Sequence, residues 1–148
     1  MTELSNSMQL ILALVKTQGQ VLKPIENALS LHGMSFSEWL VMHKLNVASD
    51  RSLKRASLAN SIGLTASGVT RLLKPMEKIG LVEKVTNQRD ARMSLVRLSE
   101  SGIRVYQEAT DSIEQGAKKV TQMMSVKQIE QCAGLLTTLH FSAIEASH

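Results

Sequence analysis

The sequence predicts a mainly α-helical fold with one small β-hairpin, an α+β class in which strands are a minor part. Apolar residues recur every three or four positions near both ends and in the middle of the chain, as in amphipathic helices. Two short runs between residues 81 and 99 are instead rich in valine and leucine and are joined by a polar link. Because 43% of the 148 residues are apolar, the chain can bury a core, as one domain or as one domain with an extension.

The first predicted helix covers residues 8–31. Pro24 lacks a backbone N–H and its ring collides with the preceding turn, so we expect a kink or a break there. Gly33 is a suitable stop, because glycine readily takes the left-handed conformation of a helix end. The apolar segment is too short for a membrane span and lacks the basic start and cleavage site of a signal peptide, so neither is expected.

A second helix is predicted to begin after Ser35. Ser35 and Glu38 have the spacing of a capping box, in which each side chain accepts a hydrogen bond from the other residue's backbone N–H. Met34 and Trp39 stand at the flanking hydrophobic positions. The helix is expected to run to about Val47, and residues 48–51 to form a turn.

Residues 55–74, RASLANSIGLTASGVTRLLK, predict two helices that meet at a sharp corner. Ala59 is small enough for the helices to cross closely, and Gly63, four residues later, tolerates the positive φ that such a corner needs. Thr65 is a suitable N-cap for the second helix. Leu58, Ile62 and Leu64 are expected to fill the gap between the helices. The residues of the second helix expected to point inward are Val69, Leu72, Leu73, Met76 and Ile79.

The outer side of the second helix is predicted to be small in its first turn and basic beyond it, with Pro75 bending the helix or loosening its last turn. Such a face suits the major groove of DNA: small residues allow close approach, Arg71 can form a bidentate contact with guanine, and lysines can meet phosphates. Backbone N–H groups at the helix start are further phosphate ligands. A helix-turn-helix is also a plain structural corner in enzymes and scaffolds, so this stretch alone leaves the function open. The predicted outer residues are Ala66, Ser67, Gly68, Thr70, Arg71, Lys74 and Lys78, with Thr65 at the helix start.

Two strands are predicted at residues 81–86 and 93–99, and the link between them is the basic tip of the hairpin. Arg89 and Arg92 place positive charge where a minor groove would run, and arginine favours narrow minor grooves because their potential is strongly negative. Asp90 has two interpretations: it holds the Arg92 guanidinium in a fixed pose, or it is a solvated turn residue.

Two long helices are predicted to close the chain. Ser99 caps the first, and Ser125 with Gln128 forms a capping box that opens the second. The helix after Ser99 has a coiled-coil-like seam: Ile103, Tyr106, Thr110, Ile113, Ala117, Val120 and Met124. The middle of the chain cannot cover all the apolar surface of the first helix and these two, so we expect a second copy of the chain to bury it.

Basic residues are concentrated in the middle of the chain. All seven arginines lie between Arg51 and Arg104, where the net charge is +7, whereas the remainder of the chain carries −3. This pattern indicates either a polyanion-binding module on a nearly neutral scaffold or a solvated basic face.

The chain resembles the MarR family of bacterial regulators. The resemblance is carried by SLANSIGLTASGVTRLLKPMEKIGLVEKV and NQRDARMSLVRLSESG. Within them, Gly80-Leu81-Val82 matches the opening of the family's wing, Asp90-Ala91-Arg92 matches its tip, and Ser99 with Gly102 matches the start of the next helix.

The resemblance implies a winged helix-turn-helix homodimer that binds a pseudo-palindromic site in double-stranded DNA. It implies an N-terminal dimerisation helix (1–34), a DNA-binding domain (35–99) and C-terminal dimerisation helices (100–148). Ser67, Thr70 and Arg71 would contact bases or phosphates, and Arg92 would enter the minor groove with Asp90 bracing it. Many members are repressors released by a small aromatic or anionic ligand. The residues of this chain in the matching region are Trp39, Met42 and His43, although for Trp39 and Met42 the sequence favours a place in the core.

Other functions have weaker support in the sequence. The lone Cys132 excludes an internal disulfide framework, fits the cytoplasm, and is expected to be a buried inert thiol. The histidines lack ligand spacing, and no nucleophile–base pair or glycine-rich phosphate loop is present, so we expect no metal, no cofactor and no enzyme activity. The remaining alternative is a winged-helix module that binds a protein partner without reading DNA sequence.

Overall fold

The computed structural model describes residues 2–86, 89, 90 and 94–148. Within these residues the chain forms six α-helices and a three-stranded antiparallel sheet, as the sequence predicts apart from one strand. The helices are α1 (Asn6–Ser30), α2 (Phe36–Val47), α3 (Arg55–Ile62), α4 (Ala66–Lys78), α5 (Glu100–Val120) and α6 (Val126–Ala146). The strands are β1 (Ser52–Lys54), β2 (Val82–Thr86) and β3 (Ser94–Leu98).

Side-chain caps fix where most of the helices begin. Both predicted capping boxes are present, at Ser35 before α2 and at Ser125 before α6. Thr65 and Ser99 cap α4 and α5 by accepting from the backbone N–H three residues ahead. Since each cap satisfies a backbone donor that the helix itself leaves unpaired, the local sequence alone determines these starts.

Pro24 does not break the first helix, because α1 continues through it to Ser30. The second half of α1 packs against α5, where Gly116 allows a close approach: a Cβ at Gly116 would lie 3.3 Å from the carbonyl oxygen of Pro24. We attribute the continuity of α1 to this packing, which offsets the single hydrogen bond that proline removes.

The sheet has the strand order β1-β3-β2. Strands β2 and β3 form the predicted hairpin, with Val82 opposite Leu98 and Thr86 opposite Ser94. Strand β1 was not predicted, because three residues are too few to show alternation; it is recognised only by its pairing with β3.

The base of the hairpin is joined to the start of α5 by Ser99. Its backbone N–H donates to the carbonyl of Leu81 (3.0 Å), and its hydroxyl caps the amide of Gly102 (2.9 Å). Gly102 is buried, and a Cβ there would overlap the carbonyl oxygen of Leu81. Only a residue without a side chain therefore lets α5 lie this close to the hairpin.

An apolar core holds the middle of the chain together. Its residues come from all three predicted segments, 1–34, 35–99 and 100–148. Leu29 comes from α1, and Tyr106, Ala109 and Ile113 come from α5. Part of the apolar seam predicted for α5 is thus buried against α1 and α2 of the same chain. Met124 lies beyond the end of α5 and does not extend the seam as a helical residue.

Residues 6–21 of α1 and the whole of α6 contribute nothing to this core. Residues 6–21 are all exposed, and α6 has no buried residue. We call these two segments the outer helices, and residues 22–120 the body. Among the described residues, none of the helices combines the length and apolar character needed to cross a bilayer.

Candidate nucleic-acid interface

The corner between α3 and α4 has the predicted geometry. Gly63 takes φ 71°, and the next residue, Leu64, donates its N–H to the carbonyl of Ala59 (3.0 Å). This bond closes α3 and turns the chain sharply into α4. Ala59 is buried at the crossing, as the prediction requires.

The inner face of α4 anchors it to the body. Val69, Leu73 and Met76 are fully buried. Two of the predicted inner residues are exposed instead: Leu64 by 39% and Ile79 by 67%. The prediction for Ile79 was wrong because α4 ends at Lys78, so helical spacing no longer applies beyond it.

Leu81 is buried in place of Ile79. The helix is closed by the N–H of Leu81, which donates to the carbonyl of Met76 (2.9 Å). The prediction for Leu64 was wrong because this residue lies in the short link between α3 and Thr65, where its side chain borders Gly68 at the surface.

The outer face of α4 is solvent-exposed, as predicted. Its basic side chains, Arg71, Lys74 and Lys78, are three and four residues apart and so lie along one side of the helix. The inner face of the same helix is buried, so α4 presents this basic side outward from a rigid support.

The first turn of α4 is more constrained than the sequence suggested. Thr65 Oγ1 accepts from the amide of Gly68 (3.1 Å) and lies 3.2 Å from Ser67 Oγ, and Thr70 Oγ1 donates to the carbonyl of Ala66 (3.1 Å). The Gly68 amide is therefore not free for a phosphate, and Gly68 itself is half-buried. Ala66, Ser67 and Thr70 remain exposed.

An ion pair that the sequence did not reveal ties α3 to α4. Arg55 Nη2 lies 2.7 Å from Glu77 Oε1, and each side chain is 25% exposed. The two residues are 22 positions apart and no local pattern links them. Arg55 belongs to the basic middle of the chain, but its charge is partly neutralised within the protein.

The wing is described in part. Arg89 and Asp90 are exposed between β2 and β3. Arg92 lies outside the described residues, so its groove contact and its bracing by Asp90 stay predictions. Lower on the hairpin, Arg97 donates to Glu83 Oε1 from Nε (3.1 Å) and Nη2 (2.9 Å), directly across the two strands.

The residues predicted to line a ligand pocket lie between α2 and α5, with different exposure. Met42 is fully buried in the core, whereas Trp39 and His43 are half-buried. Trp39 Nε1 donates to Thr110 Oγ1 (3.0 Å), and His43 Nδ1 lies 2.7 Å from the Tyr106 hydroxyl.

Four stacked rings, which we call the ring cluster, include two that the sequence did not single out. Ring centroids of Phe36, Trp39, His43 and Tyr106 lie 5.0–6.0 Å apart in successive pairs. Phe36 and Tyr106 are 70 positions apart, so only the packing of α5 on α2 brings them together.

Cys132 is exposed in the single chain, so the expectation of a buried thiol was wrong for the single chain. It lies on α6 in a groove lined by Leu10 of α1 and by Leu135, Leu136 and Leu139 of α6, and none of the residues of α6 is buried in the single chain. Among residues 2–86, 89, 90 and 94–148, no three His, Cys, Asp or Glu side chains gather as a metal-binding group.

A helix-turn-helix followed directly by a β-hairpin on a three-stranded sheet defines the winged helix-turn-helix class. The family model described as "MarR family" matches residues 34–94, which cover α2 through the start of β3. Residues 34–94 therefore match the MarR family model, and the resemblance carried by the sequence motifs is confirmed.

Individual relatives agree with this assignment. The HTH-type transcriptional regulator SarZ of Staphylococcus haemolyticus is 28% identical over 99 residues, which are 67% of this chain and 66% of SarZ. The crystal structure of Sco3205, a MarR family regulator from Streptomyces coelicolor in complex with DNA, matches with a TM-score of 0.83 at 16% identity and covers 97% of this chain and 91% of Sco3205. The organohalide-sensing regulator RdhR in its 2,4-dichlorophenol-bound form matches with a TM-score of 0.84 at 19% identity, covering 98% and 85% of the two chains. At these identities the structural matches establish the fold.

Proposed function

We propose that the protein is a transcriptional regulator that binds double-stranded DNA sequence-specifically as a homodimer. The observation that carries the proposal is the division of α4 into a buried apolar face and an exposed face with Arg71, Lys74 and Lys78 on one side. A recognition helix needs this division, because the inner face fixes the helix while the outer face enters the major groove.

The relatives support the same role. Sco3205 has this fold and was solved in complex with DNA, and SarZ is a transcriptional regulator. In this chain we assign base or phosphate contacts to Thr65, Ser67, Thr70, Arg71, Lys74 and Lys78 of the recognition helix and to Arg89, Asp90 and Arg92 of the wing. Gly68 lets the helix approach DNA closely but donates no hydrogen bond to it, because its amide already donates to Thr65 Oγ1.

The homodimer is inferred from the outer helices. They carry exposed leucines, isoleucines and valines, including Leu10, Ile11, Leu136 and Ile144, and a single chain leaves these in water. In our proposal the segments 1–34 and 100–148 pair with those of a second copy, and 35–99 contacts DNA. Two-fold symmetry of the protein then requires a pseudo-palindromic site.

We also propose control by a small aromatic or anionic ligand that releases a repressor from DNA. RdhR binds 2,4-dichlorophenol on the same fold. Here the ring cluster, half-buried between α2 and α5, offers stacking surfaces. The bonds of Trp39 to Thr110 and of His43 to Tyr106 hold three of these rings in place. Met42 is assigned to packing, because its side chain is fully enclosed.

A protein-interaction module is the second candidate, and the basic side of α4 disfavours it. We propose no enzyme activity, because the relatives are transcription regulators. We also propose that the protein acts in the cytoplasm.

Selection from a pool of random duplex DNA tests the proposal. The purified protein should enrich an inverted repeat whose half-sites lie about one helical turn apart. Arg71→Ala should lose this enrichment, since one bidentate base contact accounts for about 1–3 kcal/mol of discrimination. Arg104→Ala is the matched control, because Arg104 is an exposed arginine in a cleft that α4 does not line. If the wild-type protein enriches no sequence, the regulatory proposal fails and the protein-partner candidate takes its place.

A further inference from the structure

The ion pair between Arg55 and Glu77 joins the start of α3 to the end of α4. Arg55 is the first residue of α3, and Glu77 is the last but one of α4. The positive end of a helix dipole is at its N-terminus and the negative end at its C-terminus. Each charge is therefore unfavourable for the helix that carries it.

Each charge is instead favourable for the neighbouring helix. The 2.7 Å contact brings the Glu77 carboxylate to the first residue of α3 and the Arg55 guanidinium to the end of α4. Helix α3 has no side-chain cap and no acidic residue in its first turn, and the Glu77 carboxylate pairs with the side chain of its first residue. We expect this negative charge to favour the start of α3. The pair thus stabilises both helix ends only while α3 and α4 keep their mutual position.

We infer that Arg55 and Glu77 are positioning residues that fix the orientation of the recognition helix α4 against α3. The inference rests on the proposed function. Apolar contacts such as those of Val69 and Leu73 are non-directional, whereas a charge-assisted hydrogen bond fixes a direction. Arg55 therefore acts inside the protein and not on a DNA phosphate.

Orientation of α4 affects the two kinds of DNA contact differently. Base contacts need hydrogen-bond geometry in the groove, whereas phosphate contacts depend mainly on charge and tolerate small shifts. Loss of the ion pair should therefore lower the ratio of affinity for the selected site to affinity for an unrelated duplex. The dependence of affinity on salt should stay unchanged.

The test compares Arg55→Gln, Glu77→Gln and the exchange Arg55→Glu/Glu77→Arg in the full-length protein. The affinities for the selected site and for an unrelated duplex are measured at several salt concentrations, with the folded fraction followed by circular dichroism. Each single variant should lower the discrimination ratio roughly tenfold. The exchange should restore it, because it keeps the pair and places each charge favourably for its own helix. Glu114→Gln is the matched control: it makes the same change of charge as Glu77→Gln at an exposed position on α5, away from α3, α4 and the wing, and it should leave the ratio unchanged.

Four outcomes would overturn the inference. If Arg55→Gln weakens binding to both duplexes equally and lowers the salt slope by about 0.9, Arg55 contacts a phosphate. If the variants lower the melting temperature without changing the discrimination ratio of the folded protein, or if the exchange restores nothing, the pair does not position α4. A wild-type protein that binds both duplexes equally overturns the proposed function itself, and the positioning role with it.

Discussion

The body and the outer helices use the same local signals but differ in how their apolar residues are covered. Helices α4 and α6 both begin at a hydroxyl cap, at Thr65 and Ser125. Yet α4 buries Val69, Leu73 and Met76 within the chain, whereas α6 buries no residue. Capping and periodicity therefore determine that a helix forms, but they do not determine which molecule covers it.

This difference separates two sources of stability. In the body, burial is complete within one chain and does not depend on protein concentration. In the proposed homodimer, burial of the outer helices comes from the second chain, so their stability should depend on assembly. Matched substitutions in the two regions test this separation.

The largest effect is expected from shortening a leucine in each region. Leu73→Ala should lower the free energy of unfolding by about 2–5 kcal/mol at every protein concentration, because it leaves a cavity in the core. Leu136→Ala, at a position 45% exposed in the single chain, should instead weaken self-association. Sedimentation and thermal unfolding over a range of concentrations measure both effects. Unchanged self-association in Leu136→Ala would place the dimer contact elsewhere.

A smaller effect, of opposite sign in the two regions, is expected from adding a methyl group to a helical glycine. Gly102→Ala should cost about 1–3 kcal/mol, because the new Cβ overlaps the Leu81 carbonyl. Gly134→Ala in α6 meets no atom within 4 Å in the single chain, and should stabilise by about 0.8–1 kcal/mol through helix propensity. Chemical denaturation measures both. Destabilisation by Gly134→Ala would indicate that a partner chain packs closely at this position.

The smallest difference between the regions is expected at the caps. Thr65→Ala and Ser125→Ala should each cost about 1 kcal/mol, since each removes one bond to a backbone N–H. Hydrogen exchange of the Gly68 and Gln128 amides should become faster in the respective variants. Thr65→Ser, which keeps the hydroxyl, is the control. Unequal costs at the two caps would show that one helix start is supported by tertiary contacts.

What the sequence predicted correctly depends on local chemistry. The caps at Ser35, Thr65, Ser99 and Ser125 and the strands of the hairpin follow from residues close to one another in the chain. The basic side of α4 follows from helical spacing alone.

What it missed depends on contacts between distant residues. Strand β1 exists only through β3, the Arg55–Glu77 pair spans 22 positions, and Tyr106 joins the ring cluster from α5. Ile79 was misassigned because helical spacing was extended past the end of α4. The burial of Cys132 was misjudged for the single chain because an apolar pattern does not say whether the covering surface is in the same chain.

The hydrogen bonds of Ser99 couple the position of the wing to that of α5. Because Ser99 bonds to both the hairpin base and the first turn of α5, we expect a rotation of α5 to move the hairpin with it. A strand of five residues is about 16 Å long at roughly 3.3 Å per residue, so a 10° tilt of α5 would move the far end of the hairpin by roughly 3 Å. A displacement of that size is as long as a hydrogen bond, so in the proposed complex a small rotation of α5 would be enough to change the contacts between the wing and DNA.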